Sequence, residues 1–318
     1  MGKVHRILRS RRVHIVANVA FATVLLAVTV VSVRHFVKNG WPLKHADPVL
    51  VAAALLLFLI AYAFKAWGWQ RLFAEHERPR ADALACAGGA ACVGGIALPG
   101  RLDDALRVAV VKRFPGTRAG LGALGLSLLI LGMLDNAALT PMASVAAADA
   151  SSWAVRAGFL VIAVAGIAAA VVICYLPKIA GMRRLQRFRF ARWVAEHTHC
   201  TREAWAAWLL VSFSWSLRGT AIFLLLHALA MGGASFPLAL AFLVATAASA
   251  ALPIAPAGAA TQAGAGAAIL IASGAPTTEA IAFSVAVQAM VIVTGAAVVL
   301  LISAWHIALR FRTRLATA

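Results

Sequence analysis

The sequence predicts an all-α, polytopic membrane protein of about six full transmembrane helices plus two re-entrant helical hairpins, arranged as an inverted repeat. Three observations predict it. The chain is 63% hydrophobic and only 13% charged, with a mean hydropathy of +0.89, a composition that excludes a soluble globular domain. Six apolar runs each approach or exceed the roughly 20 residues a helix needs to cross a bilayer. Two further apolar stretches are cut near their middles by proline and glycine. Backbone leaves a helix at membrane depth only where protein or a water-lined cavity satisfies its amides and carbonyls.

The elements follow in order. A basic tail (Lys3, Arg6, Arg9, Arg11, Arg12) precedes the first run, about 13–34. The tail is too basic, and the run too long, for a cleaved secretory signal, so it reads as an uncleaved span. The second span is about 48–68. The first interrupted stretch, about 81–117, breaks at Leu98-Pro99-Gly100-Arg101. Spans at about 118–140 and 153–177 come next, then a basic loop at 178–204 and a span at about 205–231. The second interrupted stretch, about 236–275, breaks over Leu252-Pro253-Ile254-Ala255-Pro256-Ala257-Gly258, and the last span is about 279–307.

Charge sets the topology. Of 29 lysines and arginines, 24 fall in five segments: the N-terminal tail, Lys65 to Arg80, Arg101 to Arg118, Lys178 to Arg202, and the C-terminus at Arg310, Arg312 and Arg314. With those segments on one side, both termini are cytoplasmic in a bacterial-type cytoplasmic membrane. The formal charge of +18 then speaks for anionic lipid head groups. No recognition module accompanies it, so no nucleic acid is expected. The first hairpin is flanked by basic residues and returns to the cytoplasm; the second is flanked by Met231-Gly232-Gly233 and Thr277-Thr278-Glu279 and returns outside. The result is one membrane domain over 1–318, with span, span, hairpin, span in 1–150 and the same order, inverted, in 151–318.

The sharpest local motif is Leu98-Pro-Gly-Arg-Leu-Asp-Asp-Ala-Leu-Arg107. Acids in a first turn complement the positive helix end, so Asp103 and Asp104 open a helix running through Val108–Val111. Arg101 projects from the hairpin tip with a fork suited to phosphate. Asp104 and Arg107, three apart, pair on one face. The alternative is that these charges merely anchor the hairpin at the interface. Arg218 lies mid-span, where a lone arginine costs about 3 kcal/mol on insertion scales. It therefore needs a polar cavity or an acid, with Asp103, Asp104, Asp135 and Glu279 as candidates. Asp135 falls near the outer end of its span, where it meets water, and Asn136 hydrogen-bonds between helices. His227 is nine residues beyond Arg218, on the opposite face, and reads as packing.

Other signals are weak. Gly88-Gly89 and Gly264-Ala-Gly266 read as close helix-packing surfaces. The four cysteines show no CxxC pairing and imply no disulfide framework. His197-Thr-His199-Cys200 lacks a fourth ligand, and no nucleophile elbow, P-loop or HExxH occurs. No metal, cofactor or catalytic residue is assigned.

At its two breaks the chain resembles the lysylphosphatidylglycerol synthase transmembrane-region family, flippase-like integral membrane proteins. Members show a Pro-x-Arg-x-Gly-Glu-x-x-Arg-like motif, matched here by Pro99-Gly-Arg101-Leu-Asp103-Asp104-Ala-Leu-Arg107. Their second signature resembles Leu-Pro-x-x-Pro-Gly-Gly-x-Gly-x-x-Glu. It is matched by Leu252-Pro253-Ile-Ala-Pro256-Ala257-Gly258-Ala-Ala-Thr261-Gln262-Ala263. Asp103 replaces a glycine and Asp104 a glutamate. Ala263 stands where an acid is expected, so acid-dependent proton coupling has no carboxylate there. The resemblance implies lipid handling without the aminoacyl-transferring domain of the full synthases.

Together these readings imply a translocator, not an enzyme, of lipid or lipid-linked head groups. Arg101, Asp103, Asp104, Arg107, Arg218, Pro253, Pro256, Gly258 and Gln262 are its substrate-binding set. The expected partners are membrane lipids, anionic or phosphate-bearing, and a homo-oligomer is compatible with this. The alternatives are a membrane enzyme on polyprenyl or phospholipid substrates, with Asp103 and Asp104 as metal or base groups, and a membrane partner docking a peripheral enzyme through Arg183–Arg192.

Overall fold

The computed structural model describes residues 46–94, 102–180, 201–250 and 258–316. Among them the chain is all-helical: α1 Pro48–Gln70, α2 Ala81–Gly94, α3 Leu102–Arg113, α4 Leu121–Asp149, α5 Trp153–Ala180, α6 Thr201–Ala228, α7 Phe236–Ala250, α8 Gly258–Ala272 and α9 Thr277–Ala316. Five helices are long and apolar enough to cross a membrane. The predicted first span, both hairpin tips and most of the basic loop lie outside the described residues.

Local chemistry sets the starts. Asp47 caps α1, its carboxylate accepting from the amides of Val49 at 2.8 Å and Leu50 at 3.3 Å. Pro48 follows at the first helical position, where its missing N–H costs nothing. Asp103 and Asp104 sit in the first turn of α3, with Lys112 and Arg113 in its last, matching both ends of the helix dipole. Pro141 does not end α4, which continues to Asp149. A transmembrane helix tolerates such a proline because neighbouring helices re-satisfy the backbone it frees.

At the centre is the antiparallel pair α1 and α6. The Asp47 amide donates to the Ala228 carbonyl at one end, and Arg71 meets Glu203 at 3.2 Å at the other. Between them the Ser214 hydroxyl donates to the Ala61 carbonyl at 2.8 Å. Small residues let the two backbones close: Ala54, Ala61, Ala66 and Ala207 are fully or nearly buried, and a Cβ on Gly68 would stand 2.8 Å from Val211. Apolar burial against lipid gives little, so close packing and internal hydrogen bonds hold such helices together. The α5 helix packs chiefly on α4, and its Leu160, Val161, Val164 and Ile167 remain exposed, as lipid contact requires.

The two broken stretches form helical pairs entering from opposite faces. α2 and α3 pack together, and both ends return to His306 of α9. Asp82 lies 2.9 Å from the His306 ring, and the Phe114 ring is 5.4 Å from it, edge to face. α7 and α8 also pack together, and the start of α7 and the end of α8 share one cavity with the α4–α5 turn. At 14, 12, 15 and 15 residues, none of these helices, as far as the described residues go, reaches the roughly 30 Å of a bilayer core. The expected close packing of glycines holds at Gly89, whose Cβ would fall 2.5 Å from the Gly295 carbonyl oxygen, and at Gly266, pressed on the Phe242 ring.

Candidate functional site

Three spans converge midway along the α1–α6 pair. On α1, Tyr62, Lys65 and Trp69 recur at three and four residues, and so share a face. On α6, Trp215 and Arg218 stand three apart. On α4, Asp135 faces both helices. Lys65 Nζ lies 2.9 Å from Asp135 Oδ2, and the Trp215 indole N–H donates to Asp135 Oδ1 at 2.8 Å. Both carboxylate oxygens are thus engaged by different helices. The Lys65 ammonium also stands 5.1 Å from the Trp215 ring centroid.

Arg218 completes the cluster. Its guanidinium carbon lies 5.0 Å from the Trp215 ring centroid and 5.3 Å from that of Tyr62. Such cation–π stacking offsets part of the desolvation cost of a buried charge. Among the described residues no carboxylate pairs with Arg218, so none of its four candidate acids is its partner. Its Nε is shut away from solvent and makes no hydrogen bond, an unsatisfied donor of the kind that calls for a ligand or water. Tyr62 donates its hydroxyl to Cys92 Sγ on α2 at 2.8 Å, and a Cβ on Gly295 of α9 would stand 3.2 Å from that oxygen.

Arg107 joins from α3. It pairs with Asp104 at 2.9 Å, as the spacing predicts, and reaches Asp103 at 3.5 Å. Its charge and that of Arg218 both act on Tyr62 and Lys65, so the first hairpin contributes to the same electrostatic region. Gln262 of α8 meets Gln288 of α9 at 3.4 Å. Gln288 shares its face of α9 with Gly295, seven residues on, which puts the glutamine pair about 10 Å along the helix from Tyr62. Gly258 opens α8. Arg101, Pro253 and Pro256 lie outside the described residues.

One expectation needs correction. Asp135 does not meet water at an outer helix end. Because α4 runs on through Pro141, Asp135 lies midway along it and binds Lys65 and Trp215. Lys65, counted by sequence with an interfacial cluster, turns inward to meet this carboxylate. Sequence reading therefore missed Tyr62, Lys65, Asp135 and Trp215 as a group. The available signal was a lysine and an aspartate, each within a predicted span.

Two further features flank the cluster. At the basic end Glu203 meets Arg71 and, at 3.9 Å, Arg78, while Asp82 binds Arg80 at 2.7 Å and His306 at 2.9 Å. Burial pushes the Asp82 carboxyl up, but hydrogen bonds from Arg80 and His306 outweigh it and hold it below the ordinary carboxylate value. At the opposite face is a cavity of about 480 Å³, walled by Asp149, Ser151, Ser235 and Ser273 among apolar residues. Among the described residues no group of three or more histidines, cysteines or acids is placed to hold a metal ion.

A family model described as lysylphosphatidylglycerol synthase TM region matches residues 15–299. No curated protein matches the chain.

Proposed function

The chain belongs to the lysylphosphatidylglycerol synthase TM-region family, and on that premise we propose that it translocates lipid or lipid-linked head groups across the cytoplasmic membrane. The observation that carries this reading is Arg218: a guanidinium stacked between Tyr62 and Trp215, carrying a buried Nε that lacks a partner. A cation kept at this depth without an acid suits a transient anion, and a guanidinium fork suits phosphate.

The other roles follow from position. The basic face is cytoplasmic, where Arg101 and Arg107 receive the phosphate. Arg218 holds it at mid-depth, and the Pro253–Gly258 break, with Gln262 beside Gln288, closes the outer side. The cavity at Asp149, Ser151, Ser235 and Ser273 is the outer vestibule. Movement of the two hairpins, inserted from opposite faces as inverted halves, supplies alternating access. A metal-dependent reaction at Asp103 and Asp104 is less well supported, because both acids face Arg107.

The test is translocation of fluorescent anionic phospholipid in proteoliposomes. Arg218→Ala lowers the rate at least about tenfold while the protein stays folded, since a charge-assisted phosphate contact is worth roughly 1.5–3 kcal/mol. An unchanged rate in folded Arg218→Ala protein removes this arginine from the mechanism.

A further inference from the structure

Arg218 stacks on two rings, and each ring is pinned at its polar end by a different helix. The guanidinium carbon lies 5.0 Å from the Trp215 ring centroid and 5.3 Å from that of Tyr62. Arg218 Nε makes no hydrogen bond, so nothing at that nitrogen orients the fork. Both rings are buried, and a buried indole N–H or phenol O–H needs a partner. The Trp215 N–H donates to Asp135 Oδ1 on α4 at 2.8 Å. The Tyr62 hydroxyl donates to Cys92 Sγ on α2 at 2.8 Å. Rotation of an aromatic ring about its Cβ–Cγ bond is otherwise broad. Each bond narrows it, and with it the plane on which the guanidinium lies.

We infer that Asp135 and Cys92 are positioning residues for Arg218, acting on it through the rings of Trp215 and Tyr62. The inference rests on the reading of Arg218 as an anion site and says what holds its fork in line. An arginine fork donates along fixed directions in one plane. A tilted plane therefore misses an oxyanion that a rotatable lysine ammonium would still meet. The Asp135 bond to the indole is charge-assisted, roughly twice as strong as a neutral one, whereas thiol sulfur is a weak acceptor. Asp135 is the stronger pin. The arrangement brings α4 and α2, an arm of the first hairpin, to bear on a residue of α6.

The experiment reads apparent affinity for a fluorescent anionic phospholipid. It is taken from translocation rate against lipid fraction in proteoliposomes and from thermal stabilisation in detergent. Removing the Asp135 charge alone strands Lys65, its partner at 2.9 Å, so Asp135→Asn and Asp135→Leu are compared in a Lys65→Gln background. Asparagine keeps an oxygen for the indole and leucine does not, so the leucine protein binds about fivefold more weakly. Repeated with Arg218→Lys, the gap falls below about twofold, because an ammonium does not depend on the ring plane. Trp215→Phe, which keeps a ring face and loses the N–H, gives a similar loss with Arg218 and a similar collapse of it with Arg218→Lys. Tyr62→Phe and Cys92→Ala each weaken binding about threefold, and together no more than the larger of the two.

Equal binding by the asparagine and leucine proteins overturns the inference. So does a gap that persists undiminished with Arg218→Lys, which marks Asp135 as part of the scaffold alone. Losses at Tyr62 and Cys92 that multiply in the double variant overturn it for Cys92. In each case intact wild-type translocation leaves the transport reading standing. Wild type that moves no lipid, yet shows the expected gaps in thermal stabilisation, removes translocation and keeps the positioning.

Discussion

The two hairpins are alike in length and opposite in chemistry. The first carries Asp82, Asp103, Asp104, Arg107, Lys112 and Arg113 on α2 and α3, whereas α7 and α8 hold no ionisable side chain. Their contacts differ too. α2 presses backbone on backbone against α9, Gly89 to Gly295, while α8 presses Gly266 on the ring of Phe242. That ring is itself buried edge-to-face against Phe283 at 5.3 Å. The first hairpin is therefore fixed in register by main chain and brings charge to the central cluster. Among the described residues the second is held by side-chain contacts, Gly266 on the Phe242 ring and Gln262 with Gln288.

The largest effect that would break this contrast comes from Gly89→Ala. Its methyl meets a carbonyl that cannot rotate away, so a loss of about 3 kcal/mol follows, seen as a lower thermal midpoint in detergent. Gly266→Ala costs less, about 1–2 kcal/mol, because its obstacle is a side chain. Trimming that obstacle sharpens the comparison: Phe242→Leu added to Gly266→Ala recovers part of the loss. Equal losses at both glycines, or no recovery in the double variant, would show the two hairpins to be held alike. The smallest stability change belongs to Arg107→Ala. Its acids are a third and two-fifths exposed, so the pairs contribute below about 1 kcal/mol. Anionic lipid translocation nonetheless falls several-fold, read in the proteoliposome assay, while no charge removal is available in the second hairpin to match it.

Much of the scaffold was legible because it is written in local pattern. The placement of most described spans, the acidic start of α3 and the Asp104–Arg107 pair all depend on residues within a few turns of each other. The central cluster was not. Lys65 and Asp135 are 70 residues apart, and Asp135 and Trp215 are 80 apart. Their meeting depends on how α4 lies across the α1–α6 pair. The span predicted at about 118–140 also misled: it stops short of the helix end at Asp149, so it placed Asp135 near an outer end and hid its partners. Arg218 announced itself by cost alone, but the rings that shelter it could be found only in three dimensions.

The clasp of α1 to α6 at both ends, Asp47 with Ala228 and Arg71 with Glu203, has a mechanical consequence. Tyr62, Lys65, Trp215 and Arg218 ride on one pair of helices tied at both ends, so under the proposed translocation their mutual spacing is expected to hold. On the proposed function the pair would act as a stator, and access to its charged rung would depend on the elements packed around it.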